Sequence, residues 1–237
     1  MADVSVFFAV SSKKTRVSLR RYRGESNGGV CSHPDNWGYH NAEAFIGVMD
    51  ERLGKPCDSG RGFYLESWDA REFESDERWP RRCACGYEFQ LSDAFQVFQD
   101  EVLIRADGKP GEFSRRHPVV GMMYDCYWLP DRYGSDGWVN VGPDGLALAV
   151  CVPEQIRSKW IGREFHPEQR ASNCTMRADD KHHCWVRHGD ARKNECHVDK
   201  SGPTCAAGAG SIVTDGWHSF IQRNLVLGVP AGAPLAG

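Results

Sequence analysis

Ten cysteines narrow the construction of this chain more than any other feature. Thiols at this density are joined in disulfides, committed to a metal, or packed as small hydrophobes. The compartment separates these options. The opening stretch MADVSVFFAVSSKK has a short apolar run, no basic residue before it, and Lys13 and Lys14 soon after it. It lacks the layout of a signal peptide, and no stretch approaches the roughly 18 apolar residues of a membrane span. A cytoplasmic setting is therefore expected, with reduced thiols or metal ligands in preference to bridges. The glycosylation pattern Asn173-Cys174-Thr175 carries no weight in that setting.

A length of 237 residues with 41% hydrophobic content and eight tryptophans is enough to build a packed core and argues against disorder. One domain over residues 1–226 is expected, followed by a flexible tail at 227–237 whose sequence GVPAGAPLAG is small and proline-broken. The formal net charge of -3 does not favour a general nucleic-acid binder. The basic stretch at 13–23, with Arg16, Arg20, Arg21 and Arg23, is assigned to a solvated edge strand in preference to a phosphate-backbone contact.

The coarse pattern predicts an α+β fold, richer in strand than helix. VSVFFAV and TRVSLRRYR read as the arms of an opening hairpin turned by SSKK. AEAFIGVMDERLG (42–54) and DAFQVFQD after Ser92 read as short helices with a glycine C-cap and a serine N-cap respectively. Residues 58–80 are acidic, aromatic and stopped by Pro80, the marks of a surface excursion. Strands are expected from 119 onwards, in VVGMMYDCYWL, LALAVCVP and HCWVRHG.

Zinc sites are assembled from short ligand pairs brought together by the fold. Cys31 with His33, and Cys83 with Cys85, form two such pairs and would complete a Cys3His tetrahedron. His40 and Cys57 are substitutes for any one of the four. Thiolate and imidazole suit zinc over magnesium or calcium. Gly86 permits the bend that two thiols one residue apart need in order to share a metal. A closed shell of this kind leaves no place for water, so a structural zinc is expected. The deaminase signature of His-x-Glu with a later Pro-Cys-x-x-Cys is absent.

A second concentration of reactive side chains lies between 173 and 218, and three chemistries compete for it. Cys184 or Cys205 could serve as a nucleophile, with His188 or His218 as base and Asn173 as orienter. Lys200 with Gly208, Gly210 and Ser211 could cradle a phosphate on exposed backbone amides, although the order of a Walker loop is missing. A further metal site could draw on His182, His183, Cys184, Cys196 and His197. Loop histidines beside buried cysteines would look the same from sequence alone.

The ordered string CACGYEF, GMMYDCYWLP, GPDGLALAV, RASNCT, HHCWVRHG, VDKSGPTCAAGAGSI and WHSFI resembles a family of uncharacterised proteins encoded by actinobacteria and their phages. The resemblance covers most of the chain from Cys31 to Phe220 and brings no activity with it. It implies a host cytoplasm or a virion as the setting. The expectation is therefore a zinc-binding protein of a phage or bacterium with a ligand or catalytic pocket in the C-terminal cluster. As an enzyme it would be a transferase or hydrolase acting on a nucleotide, nucleic acid or peptide-like substrate. The alternative is a non-enzymatic virion component or host-interaction protein.

Overall fold

The computed structural model describes residues 1–24, 39–50, 55–56, 63–64, 74–129, 141–171, 174–176, 178–179, 182, 184–199, 205 and 210–237. The strands in chain order are β1 (Ala2–Ser5), β2 (Phe7–Arg23), β3 (His40–Asp50), β4 (Lys55–Pro56), β5 (Phe63–Tyr64), β6 (Ala94–Arg105), β7 (Glu112–Ser114) and β8 (Met122–Asp125). They continue as β9 (Leu148–Ile156), β10 (Lys159–Phe165), β11 (Val186–His188), β12 (His197–Asp199), β13 (Ile212–Thr214), β14 (Trp217–Ser219), β15 (Ile221–Gln222) and β16 (Leu225–Val229). Among the described residues, regular structure is almost all strand, with a 3-10 turn at Ala191–Lys193. The fold is β-rich, and this overturns the expected α+β class with its short helices.

Each misread element has a local cause. The segment from 42 onwards is strand β3, antiparallel to β2. Val17 stands opposite Gly47 and Ser18 opposite Phe45, so Ile46 is the extra residue of a β-bulge. A bulge shifts the two-residue alternation by one. The apolar residues at 42, 45, 46 and 49 are then spaced as on a helix although the chain is extended. Residues 94 onwards form β6, where Val97, Gln99 and Glu101 are buried at the strand period of two. The SSKK stretch is no turn: β2 runs through it, with Lys13 at φ 61° as a local irregularity.

The chain divides into two compact units, Met1–Ser11 with Leu103–Gly237, and Ser12–Val102. In the first, β8 lies parallel to the start of β2 and antiparallel to β9, which pairs in turn with β10. Alternate residues feed two cores. Phe8, Met123, Leu148, Val150 and Val152 enter one, while Phe7, Met122, Tyr124, Ala149 and Cys151 enter the other. A sheet covered on both faces has no polar side to display, which is why LALAVCV reads as an unbroken apolar run. The first core is closed by Val198 of β12, Ile212, Trp217, Ile221 and Val226. These anchors fix the ends of the cysteine-rich segment between β10 and β13. The tail is packed as well: Val229 and Ala233 are buried, and Val120 N–H donates to Pro234 O at 2.8 Å.

In the second unit, Val17, Leu19, Ile46, Trp79 and Val97 form the core. The basic stretch is not an edge, since β2 neighbours both β3 and β6. Arg21 is buried, donates to Gln90 O, and lies over the rings of Trp79 and Phe89 at 5.5 and 5.2 Å.

Candidate metal centre

The segment after β10 brings four side chains to one point. Cys174, His182, Cys184 and Cys205 are all buried, and their ligand atoms lie within 4.8 Å of one another. Trp185 supports them from one side. Its ring meets Phe165 edge to face at 5.1 Å, and its Nε1–H donates to Ser211 O at 3.1 Å. This ties the chain after Cys184 to the residue that precedes β13.

The spacings within the cluster would suit a metal ion. Zinc holds sulfur at about 2.3 Å and imidazole nitrogen at about 2.0 Å, so the edges of a tetrahedral site measure roughly 3.8 Å for S···S and roughly 3.5 Å for S···N. Cys184 Sγ lies 3.7 Å from Cys205 Sγ, Cys205 Sγ 3.9 Å from Cys174 Sγ, and Cys184 Sγ 3.5 Å from His182 Nε2. All three thiols are free, at distances far beyond the about 2.05 Å of a disulfide. Backbone amides also face the sulfurs: Met176 N–H donates to Cys174 Sγ at 3.4 Å. Such bonds favour the thiolate that a metal requires.

Without a cation, this site resists ionisation. Burial pushes the Cys184 thiol up to about 12, and the neighbouring Cys174 and Cys205 add to the shift. Three buried thiols at van der Waals range cannot share negative charge unless a cation neutralises it.

A buried ion triad stands near the centre in sequence. Arg187 of β11 makes two bonds to Asp144, at 2.7 and 2.6 Å, and its Nε–H donates to Glu168. Burial opposes ionisation of both acids. At Asp144 the Arg187 bonds and charge win and hold the carboxyl at about 2, whereas at Glu168 burial wins and lifts it to about 7. Gly142 makes room for the triad, because a Cβ there would overlap the Arg187 guanidinium and come within 2.5 Å of Glu168 Oε1.

A second cluster of His40, Cys83 and Cys85 lies in the other unit. It contains the Cys83–Cys85 half of the expected knuckle. The other half, Cys31 and His33, lies outside the described residues, as do the substitute ligand Cys57 and most of the 58–80 excursion. His40 is the described residue that joins the two thiols.

The remaining candidates are placed apart. Asn173, His183, Lys200 and Gly208 lie outside the described residues. Cys184 and Cys205 do meet, as neighbours in a sulfur cluster. His188 and His197 face each other across β11 and β12, and both approach Asp199, at 3.0 and 3.2 Å. His218 is exposed on β14. Gly210 has φ 76° and, with Ser211, leads into β13. Cys196 belongs to the first core, where burial lifts its thiol to about 12. Sequence reasoning missed Cys174 and Cys205 as partners of His182 and Cys184. The one-residue gap of His182-x-Cys184 repeats the spacing of Cys83-x-Cys85 and was the available signal.

Neither a family model, nor a curated protein, nor a solved structure matches this chain. Among the described residues, no helix is long and apolar enough to cross a membrane.

Proposed function

We propose that this is a zinc-binding protein in which Cys174, His182, Cys184 and Cys205 hold a structural zinc ion. The observation that carries the reading is the agreement of two S···S spacings and one S···N spacing, 3.7, 3.9 and 3.5 Å, with the edges of a zinc tetrahedron. Four protein ligands in a buried shell leave no vertex for water. The metal's work is then to fix the loops between β10 and β13 against the core.

The same features favour a binding or structural role over thiol catalysis. A nucleophilic cysteine needs a lowered pKa and access to substrate. Cys184 has a raised one and is buried, and in this reading both it and Cys205 are committed to metal.

Elemental analysis of the purified protein tests the reading. Stoichiometric zinc is expected, with loss of one equivalent on Cys174→Ser or Cys205→Ser. Alkylation of Cys184 and Cys205 should be slow until a chelator is added. Fast alkylation of Cys184 in the zinc-loaded protein would return the site to nucleophilic chemistry.

A further inference from the structure

The second unit holds a cluster that the C-terminal centre does not explain, and we propose that His40, Cys83 and Cys85 form a separate site for a soft divalent cation of the zinc class. Among the described residues three ligands are supplied, two thiolates and one imidazole, and a fourth donor would complete a tetrahedral shell.

The turn that carries the thiols is shaped for this. Gly86 N–H donates to Cys83 O at 2.9 Å and Cys83 N–H to Tyr87 O at 2.9 Å, closing the chain tightly around Cys85. Gly86 takes φ 96°, a left-handed conformation that costs a glycine little. In a flat strand, residues two apart share a face with their side chains separated by about 6 to 7 Å. The bend reduces this, so that all three ligand atoms lie within 4.8 Å.

Two further observations point to a metal. Cys85 Sγ lies 3.4 Å from His40 Nδ1, close to the roughly 3.5 Å S···N edge of a zinc tetrahedron. Tyr87 N–H donates to Cys85 Sγ at 3.5 Å, from two residues further along the chain. Met176 N–H meets Cys174 Sγ at 3.4 Å with the same offset. The two clusters, in different units and on unrelated local sequence, therefore share both the S···N edge and the amide-to-sulfur bond.

His40 is held ready for ligation. It is buried at the start of β3, where it pairs with Arg23, and its ring stacks on Tyr87 at 4.2 Å. Tyr87 is fixed by its hydroxyl, which donates to Asp93 at 3.0 Å. A stacked, buried imidazole with Nδ1 turned to a thiol loses little rotamer freedom when it takes a metal.

Zinc counting on the full chain separates this site from the C-terminal one. The intact protein should carry about two zinc ions, and Cys83→Ser/Cys85→Ser about half that content, with the remaining ion lost on Cys174→Ser/Cys205→Ser. A Cys83→Ser/Cys85→Ser protein that keeps the full metal content would overturn this proposal and leave the C-terminal centre untouched. A single zinc lost only with Cys83 and Cys85 would support this site and sink the other. Cadmium NMR of the unaltered chain provides a readout if the variants do not fold. Two resonances are expected, one from each site. A lone resonance that His40→Gln leaves unmoved refutes the second site. His40→Gln should move one signal and leave the other in place.

Discussion

Replacing Glu168 by glutamine should change how stability depends on pH. The Arg187, Asp144 and Glu168 side chains are 0%, 6% and 4% exposed, so one guanidinium serves two carboxylates with almost no water. Asp144 takes the bidentate contact, and burial raises Glu168 from 4.5 to about 7. A carboxyl harder to ionise in the fold than in the unfolded chain contributes stability that is fully present below about pH 4.5. That contribution is lost as pH rises through about 7. At about 1.4 kcal/mol for each tenfold change, the whole displacement corresponds to about 3 kcal/mol, of which roughly 2 to 3 kcal/mol falls between pH 5 and 8. The substituted amide keeps an oxygen for Arg187 Nε–H and does not titrate. Urea unfolding at pH 5 and pH 8, with excess zinc so that thiol protonation is common to both proteins, should show Glu168→Gln gaining roughly 2 to 3 kcal/mol on the parent at the higher pH. In melting temperature this is on the order of 5 to 10 °C for a chain of this size. Parallel pH dependences would refute the reasoning. So would a variant that loses several kcal/mol at pH 8, because Glu168 would then be an ionised and favourable partner of Arg187.

Gly142→Ala should cost about 1 to 3 kcal/mol in denaturant titration, since its Cβ would overlap the Arg187 guanidinium. Chelation of zinc should cost at least about 4 kcal/mol, the loop-closure entropy of a cross-link between Cys174 and Cys205, 31 residues apart. Differential scanning calorimetry with and without chelator measures it, and an unchanged transition would exclude a structural metal. Cys196→Ala should cost about 1 kcal/mol through lost core packing and leave zinc content as it was, because Cys196 lies in the main core and not in a ligand cluster.

What the sequence disclosed was short-range chemistry. The Cys83–Cys85 pair and its bend at Gly86 were legible because spacing and glycine act over a few residues. His182 and Cys184 stood among the candidate ligands for the same reason. Cys205 was not among them, since it lies 21 residues beyond Cys184 and reaches it only because β12 and β13 are both pinned to one core. The strands of the two-sided sheet were legible as apolar runs. β3 and the first half of β6 were not: a bulge at Ile46 and a buried polar position at Gln99 blurred the alternation, and pairing with β2 overrode their helical propensity.

The pairing of β1 with β16, Ala2 opposite Val229, bears on how the protein is made. Residues 12–102 form one compact unit from a continuous stretch of chain, while the first strand must wait for a partner more than 200 residues later. At about 5 to 20 residues per second, that wait is on the order of ten to forty seconds. For that time Val6 N–H lacks the Asn224 carbonyl that accepts it at 2.9 Å. Until β16 is made, β1 has an unpaired edge, the kind of segment that a chaperone at the ribosome would shield.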